Sequence, residues 1–535
     1  MSLRTATILS LATFVLVAFG AVYILGRPWQ HGWGLEIGYL SWKDRLLYAG
    51  GLVTLSGALV ALVVNYRKQL AAEAGQFTAG FADAARQLGD QAPAVRIAGV
   101  YALATLADRH PGRRQQCIDA LCGYLRLPYH PEAGAGHLAE RSTETTDTET
   151  HVKTIDRRSY RADDREVRLT IIRTIRDHLR PHAAVSWQGH DFDFTGATFD
   201  GGDFTKAVFS GGTVHFAGAE FSGGTVDFRW AMFSGGTVDF RSAEFSGGTV
   251  NFEEAEFSGG TVDFRSAEFS GGTVNFAEAE FSGGTVDFRS AEFSGGTVNF
   301  AEAEFSGGRV DFWRAMFSGG TVNFEEAEFS GSKVNFWWAE FSGGTVNFEE
   351  AKFSGSTVDF SEAKFSGSKV DFRWAKFSGG PVDFRWAEFS GGTVNFAGAQ
   401  FSGSKVDFRS AKFSGSTVDF WRAEFSGGTV NFEEAKFSGS TVNFWRAEFS
   451  GGTVNFEGVR FSGSTVDFED AKFSGGTVHF AGAVLAGGEV RAEREQLAVL
   501  APDLANVTWG GGRLNVGAAV VKSEEELRRL LASTQ

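Results

Sequence analysis

Phenylalanine recurs along residues 209–484 at alternating gaps of seven and five, as at Phe209, Phe216, Phe221, Phe228 and Phe233. Two positions before each ring stands a small or β-branched residue, as in Val226/Phe228 and Ala231/Phe233. Side chains two apart on an extended chain share a face, so the pattern predicts short strands with Val, Ala and Phe inward. The residues between them are Asp, Arg, Glu, Ser and Thr, which would face water. The pattern repeats as twenty-three cassettes of twelve residues from Phe209 to Val484; a typical one runs Phe233-Ser-Gly-Gly-Thr-Val-Asp-Phe240-Arg-Ser-Ala-Glu. One cassette cannot bury its own apolar side chains, so self-similarity at this short period predicts stacked coils. Gly suits the corners, because it reaches positive φ without steric cost.

The start of the array sets how it is parsed. Phe194, Phe199, Phe204 and Phe209 are spaced by five, with Phe192, Ala197, Gly202 and Ala207 two positions before them. Units such as Ala197-Thr-Phe199-Asp-Gly and Ala207-Val-Phe209-Ser-Gly resemble the pentapeptide-repeat family. That resemblance implies a mainly β chain, a four-sided, right-handed parallel β-helix in which each five-residue unit forms one side. Later cassettes depart from the family pattern by an extra Gly-Thr, which would lengthen one side in two and give a coil of 24 residues. Independently of the family, Asp239, Asn251, Asp263 and Asn275 alternate, and the pairs Arg241-Ser242 and Glu253-Glu254 alternate in step. Cassettes two apart therefore match, a trace that duplication of a 24-residue unit would also leave. Two cassettes per coil at a strand spacing of about 4.8 Å predict a rod of about 55 Å. Its interior would hold ladders of Phe, each buried ring contributing about 1.5–3 kcal/mol. A twelve-residue coil is rejected, because two rings per coil would overfill so narrow a bore. The Gly-Gly-Thr-Val-Asp run lacks the period and second Gly of calcium-binding nonapeptides, so no metal is expected.

Before the rod, residues 6–25 and 46–64 are apolar or small and uncharged, flanked by Arg4 and Arg27 and by Arg45, Arg67 and Lys68. Each run is long enough to cross about 30 Å of hydrocarbon as a helix, which predicts two transmembrane helices within residues 1–67. The flanking positive charges balance across the hairpin. The cytoplasmic side is the expectation for the repeats, on the low cysteine count of so large a soluble part. Residues 68–186 read as an α-helical region. Apolar residues at three- and four-residue spacing predict helices over 77–88, 92–107, 113–125 and 166–179. A flexible loop is expected near 131–164, rich in Thr, Glu and Asp, with disorder over 142–151. Cys117 and Cys122 lie five apart on one helix, about 140° around its axis, so neither a disulfide nor a shared metal is expected. The segments Arg86-Gln-Leu-Gly and Val95-Arg-Ile-Ala-Gly resemble the helical region of actinobacterial membrane pentapeptide-repeat proteins. The repeats are expected over 187–488 and a C-terminal cap over 489–535, where Ser523-Glu-Glu-Glu526 opens a short helix. Both ends of such a rod expose unpaired backbone and need covering.

No catalytic constellation, phosphate loop or Cys/His cluster is present in the sequence, and neither an enzyme nor a cofactor is expected. Charge is more informative. The chain carries −15, and about −13 of that falls in residues 209–328, close to one charge per 1.8 Å of predicted rod. Duplex DNA carries one per about 1.7 Å. Some pentapeptide-repeat proteins resemble DNA and bind DNA gyrase in its place, and the resemblance implies that possibility here. Register places Glu254, Glu278, Glu302, Glu326 and Glu350 in one acidic ladder. On the opposite side Arg241, Arg265 and Arg289 continue into Trp313, Arg314, Trp337 and Trp338, with Arg373-Trp374 and Arg385-Trp386 beyond. Exposed Trp beside Arg is enriched at protein interfaces. The expectation is a membrane-anchored, non-enzymatic scaffold that binds a protein through Trp313, Arg314, Trp337, Trp338, Arg385 and Trp386. Direct nucleic-acid binding is not expected, and a DNA-mimicking binder of gyrase is the alternative.

Overall fold

The computed structural model describes residues 41–131, 140–146, 153–159, 163–493, 495–496 and 507–532. The chain divides into two units, Met1–Asp83 and Ala84–Gln535. In the first, helix α1 (Trp42–Leu88) covers the run expected to span a membrane over 46–64. Its described positions include Gly50, Gly51, Thr54 and Gly57 among exposed Leu47, Leu59 and Leu62. Among the described residues no helix is long and apolar enough to cross a membrane, so that expectation is not met there. The expected span over 6–25 lies outside the described residues.

In the second unit α2 (Pro93–Arg109), α3 (Arg114–Leu125) and α4 (Asp164–Leu179) match the periodicity. Val100, Leu103, Ile118, Leu121, Ile171 and Ile175 are fully buried between them. A charged cluster sits in the same core. Asp164 accepts from Tyr124 Oη at 2.5 Å and pairs with Arg168 at 3.0 Å, with the wholly buried Arg96 3.9 Å away. Cys117 and Cys122 are free, buried thiols, which burial pushes up to about 11 and about 12. One segment differs from expectation. Glu140–Thr146 and Lys153–Ser159 pair antiparallel where a flexible loop was expected. Thr143, Thr145, Thr146, Thr154 and Ile155 are β-branched, and that strand preference outweighs the polar composition.

From Phe192 the chain winds as a parallel solenoid with four sheets of 12 to 15 strands, each strand paired to the one a full coil later. Face 1 carries Val214, Val238 and Val262; face 2 carries Phe221, Phe245 and Phe269. Face 3 carries Val226, Val250 and Val274, and face 4 carries Phe209, Phe233 and Phe257. The register is 24 residues throughout the twelve-residue cassettes, as in Phe233↔Phe257. In the first coil it falls to 22, Phe192↔Val214 and Thr198↔Glu220, because the five-residue units there lack the extra Gly-Thr.

Inside, four columns of rings stack coil on coil: Phe240 lies 4.7 Å from Phe264 and Phe245 4.7 Å from Phe269, each pair tilted by under 5°. Across the bore the columns meet edge to face, as in Phe240–Phe252 at 5.9 Å and 88°. Offset stacks and edge contacts are the favoured aromatic geometries, so the period selects them at every level. The solenoid also runs past the expected end at 488. Glu489–Ala492 and Arg513–Val516 continue face 3, and Ala519–Val521 turns back antiparallel on it. Val490 and Leu514 take the inward positions there, so a coil persists after the Phe pattern decays. Helix α5 (Glu524–Ala532) follows, with Ser523 Oγ accepting from the Glu526 N–H at 3.2 Å as the capping motif predicts. At the other end α4 lies across the first coil: a Cβ on Gly202 would come within 3.0 Å of Ile172, and Arg165 pairs with Asp200 at 3.0 Å.

Candidate functional site

Two of the four corners carry the sequence variation. Between faces 1 and 2, and between faces 3 and 4, the pair after each Val-x-Phe forms a tight turn closed by Ala N–H to Phe C=O, as in Ala231 to Phe228 at 2.9 Å. The second residue of each pair is left-handed, with φ near +57° at Trp230, Glu278, Ser290 and Arg314. That conformation costs a non-glycine residue about 1–2 kcal/mol. It also turns the residue's N–H along the rod, where it donates to the next coil: Glu278 to Ala301 O at 2.9 Å, and Arg314 to Trp337 O at 3.1 Å. The ladder bond offsets the strain and sets the second side chain outward.

The first residue of the pair meets a different fate. The Asp or Asn two positions before it accepts its N–H and, where the residue is Arg, its guanidinium as well. Arg241 pairs with Asp239 at 2.6 Å, Arg265 with Asp263 at 2.6 Å and Arg289 with Asp287 at 2.6 Å. The basic column expected on this corner is therefore neutralised within each coil. Burial alone would raise the pKa of Asp239, but hydrogen bonds from Arg241 outweigh it and hold the carboxyl below its usual range. On face 3 the alternating position is Asn from residue 251 to residue 347, and there the amides bond to one another along the rod: Asn275 to Asn251 at 3.2 Å, Asn299 to Asn275 at 3.0 Å. The Asp/Asn alternation separates a column of ion pairs from a column of amides.

A family model for pentapeptide repeats, nine copies, matches residues 360–412. Those residues lie inside the four-sided, 24-residue register of the solenoid. That stretch carries pentapeptide repeats. Among solved structures the trypsin-treated form of QnrB1, a plasmid-mediated fluoroquinolone resistance protein, is similar over 40% of this chain and 90% of that one. Its identity is 16% and its TM-score 0.13. No curated protein matches the chain in sequence.

On the corner between faces 1 and 2, the pentapeptide-repeat rod brings four of the expected residues together. Arg314 lies over the ring of Trp313 at 4.6 Å and over Trp338 at 4.8 Å. Trp313 and Trp337 are 6.4 Å apart, and Trp337 and Trp338 are 39% and 40% exposed. Arg314 occupies the outward second position, and among the described residues no carboxylate pairs with it. One coil later Glu362 accepts from Trp337 Nε1 at 3.5 Å. Arg385 and Trp386 follow on the same corner, but Arg385 occupies the first position and its guanidinium is held by Asp383 at 2.6 Å. Arg373-Trp374, grouped with this stripe on sequence grounds, belongs to the opposite corner.

The acidic ladder lies on that opposite corner, between faces 3 and 4. Glu254, Glu278, Glu302, Glu326 and Glu350 are all exposed and all left-handed. Away from this corner, on face 2, lysine answers glutamate between coils beyond residue 328, as in Lys364–Glu340 at 2.8 Å and Lys412–Glu388 at 2.7 Å. Farther along the same corner sits a grouping that sequence reasoning missed: Arg422 over Trp421 at 4.7 Å, Arg446 over Trp445 at 4.4 Å, and the two rings 6.4 Å apart. The order of the pair was the available signal, since Trp-Arg places the arginine second and Arg-Trp places it first.

The concavities are open troughs. One of about 590 Å³ runs along face 3, lined by Thr273, Asn275, Thr297 and Asn299 and ended by Asp371 and Arg373. Another of about 740 Å³ follows the glycine corner from Gly211 to Arg309. Among the described residues no three His, Cys, Asp or Glu side chains are placed to hold a metal ion.

Proposed function

We propose that this pentapeptide-repeat protein is a non-enzymatic scaffold whose rod binds a protein partner through the corner of Trp313, Arg314, Trp337 and Trp338. One observation carries the reading: Arg314 is clamped between two indole faces on an exposed corner, with its charge unanswered among the described residues. Every coil repeats the same frame, so a change at one corner alters the surface without altering the core. The apolar run over residues 6–25 supports a bilayer as the anchor of this scaffold, a role argued from sequence.

The exposed glutamate ladder supports a second reading, in which the acidic half presents a DNA-like charge to a nucleic-acid-binding protein such as DNA gyrase. One experiment separates the two. The full chain, extracted from membranes and from the soluble fraction, serves as bait beside two variants. One carries Trp337→Ser and Trp338→Ser; the other carries Gln at Glu254, Glu278, Glu302, Glu326 and Glu350. The scaffold reading expects capture to be lost with the tryptophans and kept with the glutamines, and expects the chain in the membrane extract. Capture lost only with the glutamines selects the DNA-like reading. Recovery of the chain in the soluble fraction alone removes the anchor.

A further inference from the structure

We propose that Trp421, Arg422 and Trp445 form a second binding site of the same chemistry on the opposite corner. Each site takes a carboxylate-bearing, apolar protein segment, so that one rod bridges two partner molecules. The proposal rests on the reading that the first tryptophan–arginine corner binds protein, and extends it to a ligand class and a stoichiometry.

The two groupings share their construction. In each, a Trp-Arg pair follows Val-Asp-Phe, the arginine holds the left-handed second position (φ 57° at Arg314, 56° at Arg422), and its guanidinium lies over the tryptophan before it. In each a second tryptophan stands one coil on, 6.4 Å from the first. Trp313 and Trp421 even share a buried indole N–H without a hydrogen-bond partner. Both arginines are exposed, and among the described residues no carboxylate pairs with either. The contrast is internal. Arg229 and Arg385 also lie beside tryptophans, but each occupies the first position and is held by Asp227 at 2.8 Å or Asp383 at 2.6 Å. Second place takes the guanidinium away from its own coil's aspartate, and the next coil decides the rest: Arg446 shares that place but pairs with Asp470 at 3.2 Å, whereas Arg314 and Arg422 have Trp338 and Arg446 one coil on and stay available.

A guanidinium stacked flat on indole keeps its edge N–H groups free and gives up side-chain freedom before any ligand arrives. Its fork matches a carboxylate bidentately. Each site offers one uncompensated guanidinium beside apolar surface, with Met316 38% exposed next to the first. That suits a single acidic residue among apolar neighbours. A nucleic acid would need a trail of cations, and the chain's charge of −15 opposes it. Arg422 follows Arg314 by 108 residues, four and a half coils, which puts it on the diagonal corner and about 22 Å along the rod. One short segment cannot reach both.

The test is calorimetric titration of the full chain with a short peptide holding one glutamate between leucines, beside the same peptide with glutamine. Two equivalents are expected. R314Q and R422Q should each leave one, and the double variant should bind roughly tenfold more weakly or worse. R385Q, whose guanidinium is already engaged, should leave both. A single equivalent abolished by R314Q alone overturns the second site and leaves the first corner standing. Equal binding of the glutamine peptide, or binding kept in the double variant, overturns the carboxylate assignment. No binding while the corner still captures protein overturns the ligand class without touching the scaffold reading. Saturable binding of a single-stranded oligonucleotide at these arginines overturns it in favour of phosphate.

Discussion

Asp239 and Asp419 occupy equivalent places in their cassettes, yet their carboxyls move in opposite directions. Asp239 has Arg241 two residues on and is held below the usual range. Asp419 has Trp421 there, so burial dominates and raises it, offset in part by the Trp421 N–H and by Asn443 at 2.9 Å. The signs follow from linkage. A lowered folded pKa adds stability that is present above the unfolded value of about 3.9 and is lost as pH falls through the folded value. A raised one costs stability at neutral pH, and that cost is relieved as pH falls through the folded value. Asp419→Asn should therefore raise stability at pH 7 by about 1 kcal/mol or less, and the gain should vanish at pH 3. The new amide would also extend the chain of bonds between Asn395 and Asn443. Urea unfolding of both proteins at the two pH values checks it; an equal difference at both would remove the carboxylate as the cause.

At the scale of elements, the helical cap and the first coil depend on one buried carboxylate. Asp164 serves Tyr124, Arg168 and Arg96 from the N-terminus of α4, joining three helices that meet the rod. Removing one member of a buried charged group leaves the others uncompensated, which costs about 3–5 kcal/mol. Asp164→Ala should lower stability by that amount. Because α4 covers the first coil, the loss should expose its strand edges, and hydrogen exchange should rise first at Phe192–Asp203. Uniform acceleration along the solenoid would show that the cap and rod unfold as one piece. The hairpin of Glu140–Thr146 with Lys153–Ser159 belongs to this scale too, since pairing satisfied a backbone that polar composition had marked as loop.

Over the whole solenoid, stability is close to a sum of coils and their contacts, so length is adjustable in units of the repeat. Deleting residues 261–284 removes one 24-residue coil and returns every face to its own kind. Deleting 261–272 removes half a coil and places face 1 on face 3, so that Arg–Asp pairs abut the amide column and the acidic corner meets the arginine corner. The first deletion should melt within a few degrees of the parent. The second should melt well below it or aggregate, as circular dichroism would show. A stable twelve-residue deletion would refute the 24-residue register.

The sequence by itself determined what depends on period. Stacking, the 24-residue coil, the inward Phe, Val and Ala, and the alignment of cassettes two apart all follow from spacing, because a coil has one way to bury its rings. It was also enough to place Glu254 to Glu350 in one ladder and Trp313 to Trp338 in one cluster. Tertiary structure decided what depends on direction within a turn. Whether an arginine faces its own aspartate or the solvent is set by first or second place at the corner, where the sign of φ aims the side chain. That is why Arg241 and Arg385 proved to be engaged while Arg314 and Arg422 face solvent; Arg373-Trp374 lies on the other corner for a reason of period, 60 residues or two and a half coils beyond Trp313-Arg314. The coils past residue 488 were hidden for a related reason: Val490 and Leu514 fill the bore in place of Phe, and only the strand register reveals it.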